Sequence, residues 1–232
     1  MMQRWSADTV RFMRDASEYG SYHHDLARAL LPYLPVDGHI CDAGCGLGHL
    51  AFELSKFCKE VTAVDASEAA LNVLQNRELP DHLHVIHGDV FQLDTKFDAM
   101  IFCYFGNAEQ IMELVFRKCC GTILVVRRDC GAHRFSGTYV PRKEHSVNHL
   151  TRILNERKVP YISKGLSIEL GQPFRSMEDV RCFFELYNKS EEPFSVDQLR
   201  GRLILTGDQK FPFYYPSVRD MELIVFKTDH FL

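Results

Sequence analysis

The chain lacks a surplus of positive charge: 27 Lys and Arg stand against 31 Asp and Glu in 232 residues, a formal net charge of −4. A general nucleic-acid binder shows a basic excess, so no nucleic-acid partner is expected. No apolar run reaches the length of a membrane span, which argues against a membrane partner. Met1–Val10 carries Arg4 and Asp8 and has no apolar segment of the kind a signal peptide needs. These absences together predict a cytoplasmic protein. There are no internal repeats and no low-complexity tracts. Cys-x-x-Cys pairs and zinc-finger spacings are missing too, and His23-His24 is too local to define a site, so no metal is expected. The eight cysteines are scattered; Cys41 and Cys103 lie in apolar runs, and Cys119 and Cys120 are adjacent. Reduced, largely buried thiols are the expectation.

What is present is an ordinary globular balance, 46% hydrophobic and 25% charged, with a clear alternation of strand and helix. Two helical stretches come first, 7–16 and 22–34. Short apolar strands follow at 39–43, 61–64, 83–86, 99–103 and 122–126, each separated by a segment of helical period. Asn107 with Gln110 three residues on has the form of a capping box. Helical spacing returns at Val147, Leu150 and Leu154, and late strands are expected at 161–170 and 221–226. Such alternation implies βαβ units and a mainly parallel sheet covered by helices on both faces. The segment 171–216 breaks the rhythm, with Val180, Phe183, Phe184 and Tyr187 at helical spacing. The expected organisation is a single domain: an N-terminal helical cover (1–36), a core (37–170), a helical insertion (171–216) and a final strand (217–232). Its sheet is expected to have seven strands.

The densest chemical signal is Asp42-Ala43-Gly44-Cys45-Gly46-Leu47-Gly48, between the first strand and its helix. Glycines there permit a tight turn and let a ligand approach the backbone. Asp65 ends the second strand, followed by Ala66, where a carboxylate can accept from both hydroxyls of a ribose. After the third strand come Asp89, Val90 and Phe91, an acceptor for an adenine amine and two apolar groups for its ring. A bland reading stands beside these: Asp65 as a cap for the helix near Ser67, Asp89 as a turn residue.

From His39 to Val126 the chain resembles the class I, Rossmann-like S-adenosylmethionine-dependent methyltransferases. Asp42, Gly44, Gly46 and Gly48 match the acidic-Gly-x-Gly-x-Gly motif of that family. Asp65 matches its ribose acid, Asp89 its adenine-side acid, and the run from Phe97-Asp98 to Tyr104 its fourth-strand motif. The resemblance implies S-adenosyl-L-methionine as cofactor, with Gly44 and Gly46 near its methionine part and the N-terminal helices above it. Cys45, Ala66, Val90 and Phe91 join the cofactor set through their place in these segments.

Methyl transfer needs alignment and exclusion of water more than side-chain chemistry. Tyr104, His23 and Tyr22 are the candidate catalytic residues, and Tyr19, Arg128, His133 and Arg134 the candidate acceptor contacts. The loop Cys103-Tyr104-Phe105-Gly106 lacks the Asn-Pro-Pro-Tyr or Asp-Pro-Pro-Tyr pattern of amino-methylating nucleic-acid enzymes, which lowers the case for a nucleobase substrate; a small-molecule acceptor is the expectation. Arg127, Arg128, His133, Arg134, Arg142 and Lys143 gather after the fifth strand and suit an anionic one; a solvated loop is the plainer alternative. Two rival functions remain open. One is a nicotinamide-dependent oxidoreductase, whose fingerprint would need glycine where His49 stands. The other is a non-catalytic S-adenosylmethionine-binding protein.

Overall fold

A computed structural model describes residues 6–128, 133–140 and 147–231; Arg142 and Lys143 lie outside the described residues. The chain begins with helices α1 (Ala7–Tyr19) and α2 (Tyr22–Leu30), then a 3-10 turn at Leu31–Tyr33. Ser6 caps α1, its hydroxyl accepting from the Thr9 N–H. The second helix therefore ends four residues earlier than its apolar stripe suggests, because Pro32 cannot continue the α-helical hydrogen bonds.

Next come β1 (His39–Ala43), α3 (His49–Ser55), β2 (Glu60–Asp65), α4 (Glu68–Gln75), β3 (Leu83–His87), β4 (Phe97–Cys103), α5 (Ala108–Lys118) and β5 (Cys119–Arg128). Asn107 and Gln110 form the reciprocal capping box at the start of α5. Helix α6 (Val147–Glu156), β6 (Tyr161–Glu169) and, after the insertion, β10 (Val218–Lys227) complete the main unit. Its seven strands lie in the order β3-β2-β1-β4-β5-β10-β6. Strands β1 to β5 are mutually parallel. Strand β10 runs antiparallel to both β5 and β6.

Side chains alternate across this sheet with the period of two that a strand imposes. Ile40, Ile101, Leu124, Val126, Leu223 and Val225 pack with α2, α3 and α4 on one face. Cys41, Met100, Phe102, Ile123, Val125, Ile224 and Phe226 pack with α5 and α6 on the other. Burial on both faces explains why the strands read as continuous apolar runs.

The insertion is not purely helical, a correction to the sequence expectation. It holds β7 (Gln172–Phe174), α7 (Met177–Tyr187), α8 (Val196–Arg200), β8 (Ile204–Leu205) and β9 (Phe213–Tyr215). The three strands form their own antiparallel sheet, β7-β9-β8. Strands of two or three residues are too short to show a period. The stripe Phe183, Phe184 and Tyr187 packs with Phe12 of α1, Phe174, Leu199 and Phe135. It is core between α1 and the insertion rather than between the insertion and the main sheet. Arg175 ties the same two parts together by a bidentate pair with Asp15, at 3.1 Å from Nε and 2.6 Å from Nη2.

Among the described residues no helix is long and apolar enough to cross a membrane. Cys41, Cys45, Cys58, Cys103, Cys119 and Cys182 are free thiols.

Candidate functional site

The carboxyl ends of β1, β2 and β4 open on the glycine loop. Gly44 and Gly46 take left-handed φ values of 69° and 56°, which side chains disfavour. The N–H groups of Gly44 and Cys45 both donate to the Val64 carbonyl, at 2.9 and 3.0 Å. The Gly46 N–H donates to Asp65 Oδ2 at 2.8 Å, and the Ser67 N–H to Asp65 Oδ1 at 2.8 Å. One carboxylate therefore fastens the loop after β1 and the entry to α4. The Ser67 hydroxyl itself caps α4.

A Cβ on Gly44 would lie 2.2 Å from Phe105 Cδ2, so the loop after β4 sits directly against the glycine turn. The third glycine serves another need. A Cβ on Gly48 would lie 2.3 Å from Leu74 Cδ2, so Gly48 lets α3 and α4 pack.

Asp42 is almost fully buried, 1% exposed. The Ala51 N–H in the first turn of α3 bonds to its carboxylate, while Oδ2 has no partner. Burial first, and then the nearby Asp65 charge, push its pKa up to about 7. A buried acceptor left open beside a glycine-rich turn is the kind of exception that calls for a ligand.

Asp89 is exposed. Its Oδ1 accepts from the Phe91 N–H at 3.0 Å, capping a 3-10 turn at Val90–Gln92. Val90 is buried, Phe91 is half-buried, and Ala66 is exposed after β2. Cys45 is half-buried, and burial raises its thiol pKa well above the ordinary value.

Tyr104 follows β4 directly, with a φ of 58°, a strained value for a side-chain-bearing residue. Its hydroxyl lies 3.2 Å from that of Tyr22, which also donates to Met221 Sδ. Burial raises both tyrosine pKa values, so both remain protonated near neutrality. His23 Nδ1 lies 2.9 Å from the Ser17 hydroxyl; burial holds its pKa well below the ordinary value, so it is neutral. His49 Nδ1 accepts from Arg77 at 2.8 Å, and burial, aided by that guanidinium, holds its pKa down to about 3. Tyr19 packs on Tyr214 with ring centroids 5.0 Å apart. Both line a cavity of about 490 Å³, with Gly20, Tyr22, Leu170 and Gly171.

The basic group after β5 divides. Arg127 donates to the carbonyls of Phe105, at 2.6 Å, and Gly106, at 2.5 Å, and so holds the loop that carries Tyr104. Arg134 donates to the Ser217 hydroxyl and the Val218 carbonyl, tethering its loop to the start of β10. His133 accepts or donates at Nδ1 to Ser136, 3.0 Å away, and its ring meets Phe135. Arg128 lies over the Tyr104 ring, 5.1 Å from its centroid. The sequence analysis missed Arg219, which stands 5.8 Å from the Tyr22 ring and 5.7 Å from the Tyr104 ring.

Comparison with known proteins bears on this geometry. Residues 40–121, which contain the glycine loop, Asp65, Asp89 and Tyr104, match the methyltransferase domain family. Over those residues the chain resembles a class I methyltransferase domain. It is 36% identical over 69 residues to the cypemycin N-terminal methyltransferase of a Streptomyces species, a match covering 28% of this chain and 28% of that protein. The fold is similar to that of the precorrin 8W decarboxylase of Methanobacterium thermoautotrophicum: TM-score 0.52, 15% identity, 87% of this chain and 89% of that one covered. A candidate methyltransferase from Bacillus halodurans is similar too, at TM-score 0.50 and 16% identity, covering 90% of this chain and 99% of that one.

S-adenosylmethionine is the cofactor of such a methyltransferase domain, and the residues present fit it. Gly44 and Gly46 give the turn its left-handed backbone, Asp65 keeps unused lone pairs for ribose hydroxyls, and Asp42 Oδ2 offers an acceptor for an ammonium group. A pH dependence follows. The raised pKa of Asp42 keeps it protonated in the free protein below about pH 7, and a cationic ligand favours its ionised form. Lowering the pH from 8 to 6 should therefore weaken S-adenosylhomocysteine binding about tenfold by proton linkage. Calorimetry at several pH values, with Asp42→Asn as the variant expected to flatten the profile, checks this. A wild-type profile already flat between pH 6 and 8 would contradict it.

Proposed function

We propose that the protein transfers the methyl group of S-adenosylmethionine to a small-molecule acceptor. The observation that carries the reading is the glycine loop, fastened by Asp65 and lying beside the open oxygen of Asp42. The cavity of about 490 Å³ next to Tyr22 supports the acceptor class, since small-molecule sites commonly enclose roughly 300–1,000 Å³.

When bound, the cofactor supplies a methyl carbon already activated by its sulfonium. The chain holds and orients. Asp42 accepts from the ammonium group, Asp65 from the ribose and Asp89, through its free Oδ2, from the adenine amine, while Val90 and Phe91 pack on that ring. Tyr104 and Tyr22 act as neutral donors that orient the acceptor, because burial keeps both phenols protonated. His23 is neutral and can take a proton, but its lowered pKa makes it a weak base. Tyr19 borders the entrance. These contacts would align the acceptor's nucleophile with the activated methyl carbon, and His23 or water would take any proton the acceptor loses. Alignment of this kind can supply roughly 7–11 kcal/mol of the barrier.

Incubation with methyl-labelled S-adenosylmethionine and a metabolite extract tests the reading. Label should move into a compound of low molecular mass. Label found only in macromolecules, or left entirely on the cofactor, overturns it. With that acceptor in hand, Tyr104→Phe should lower kcat by about tenfold, the worth of one orienting hydrogen bond, with S-adenosylhomocysteine affinity changed less than twofold. An unchanged kcat would remove Tyr104 from the site.

A further inference from the structure

The antiparallel entry of β10 brings a residue to the crevice that lies nearly a hundred positions from the β5 loop. Met221 pairs with Arg128 at the carboxyl end of β5. Arg219, two residues earlier on the same side of the strand, thus projects past that end on the face that carries α2. Its guanidinium carbon stands 5.8 Å from the Tyr22 ring centroid and 5.7 Å from that of Tyr104. Among the described residues it forms no ion pair. Its Nε is buried without a hydrogen-bond partner.

A guanidinium carries five donors and a charge that cannot be removed. Leaving a buried donor of a charged group unpaired is costly. Arg219 nonetheless sits among groups held neutral. Tyr22, Tyr104 and Tyr187 have pKa values raised by burial, His23 has one lowered by burial, and Cys103 is pushed up to about 12. Its charge reaches every one of them. Asp220, the next residue of the strand, faces the opposite side, where its carboxylate accepts from the Ser167 hydroxyl at 2.7 Å. A second guanidinium, that of Arg128, faces the same Tyr104 ring at 5.1 Å. Two cations thus stand by the tyrosine pair, while Glu169, which lines the adjoining cavity with Tyr22, accepts from the Tyr214 hydroxyl at 2.6 Å.

The geometry points to Arg219 as the anchor for an oxyanion, a carboxylate or a phosphate, carried by the methyl acceptor, with Arg128 adding charge near the Tyr104 ring. This rests on the methyltransferase reading above. It moves the anion site from Arg134, whose donors go to Ser217 and Val218, to the start of β10. A guanidinium fork matches either oxyanion by two parallel hydrogen bonds, and the tyrosine rings supply a flat wall for the body that carries it.

The test uses the full chain saturated with S-adenosylhomocysteine and three probes of one shape: benzoate, phenyl phosphate and the uncharged benzamide. NMR titration should show benzoate or phenyl phosphate binding at least tenfold more tightly than benzamide, and the tighter anion identifies the oxyanion. Arg219→Gln should remove that preference while S-adenosylhomocysteine affinity stays within twofold. Arg219→Lys should retain part of it, as a point charge without the fork. Equal binding of all three probes to the wild type overturns the inference, as does an anion preference that survives in Arg219→Gln. Should Arg219→Gln fail to fold, the wild-type ratio and Arg219→Lys decide. If S-adenosylhomocysteine itself does not bind, the methyltransferase reading has failed instead.

Discussion

Asp65→Ala is expected to weaken S-adenosylhomocysteine binding by roughly a hundredfold or more. The carboxylate holds the Gly46 and Ser67 N–H groups, each at 2.8 Å, and each oxygen keeps a lone pair for a ribose hydroxyl. Hydrogen bonds to a charged group contribute about 1.5–3 kcal/mol each. Losing two to the ligand, with the loop also released, gives about 3–6 kcal/mol. Asp65→Asn should cost less, since its carbonyl oxygen still accepts, while its amide faces a backbone donor. The loop is only one edge of a sheet buried on both faces, so the protein should still unfold cooperatively. Calorimetry gives the affinity and a thermal melt the fold. An affinity within threefold of wild type would mean that Asp65 serves the backbone alone.

Arg175→Ala should produce the largest loss of stability. Asp15 is only 2% exposed in its side chain, and Arg175 satisfies both of its oxygens. Removing the arginine leaves a buried carboxylate without its partner, a change that costs about 3–5 kcal/mol. For a chain of this size, about 2–4 °C of melting temperature goes with each kcal/mol, so a fall of roughly 6–20 °C is expected. The site explains the direction of the damage. Asp15 lies on α1 and Arg175 follows β7, so the pair ties the N-terminal cover to the insertion around Phe12, Phe174 and Phe183. Asp15→Asn in the Arg175→Ala background should recover much of the loss by removing the stranded charge. A melting temperature lowered by less than 2 °C would show that water reaches Asp15 in solution.

The main sheet was legible in the sequence because its strands are buried on both sides, and β1 was read to the residue. The Asn107–Gln110 box was legible because capping chemistry is local. The small sheet of the insertion was not, since β7 and β9 pair across some forty residues and are only three residues long. Around the site, the sequence showed residue types but not where their hydrogen bonds go. Arg127 and Arg134 look like free cations in a loop, yet both are taken up by carbonyls and a hydroxyl. Asp65 was read as a ribose acceptor or a helix cap, and its bond to the Gly46 N–H belongs to neither reading. Arg219 escaped notice because only the antiparallel pairing of β10 with β5 places it at the crevice. A signal existed: Val218-Arg219-Asp220-Met221 alternates as a strand does, with one arginine on the apolar side.

The rival dinucleotide reading turned on position 49. His49 is buried and hydrogen-bonded to Arg77, and the preceding Gly48 is covered by Leu74. The third glycine of a dinucleotide fingerprint serves close helix packing, and here Gly48, one position earlier, makes that close contact while position 49 carries a side chain. The most direct test of the central claim is a calorimetric titration of the folded wild-type protein with S-adenosylhomocysteine, with NAD as the comparison. The account predicts saturable binding of S-adenosylhomocysteine and none of NAD. Binding of NAD, or of neither ligand, would contradict it.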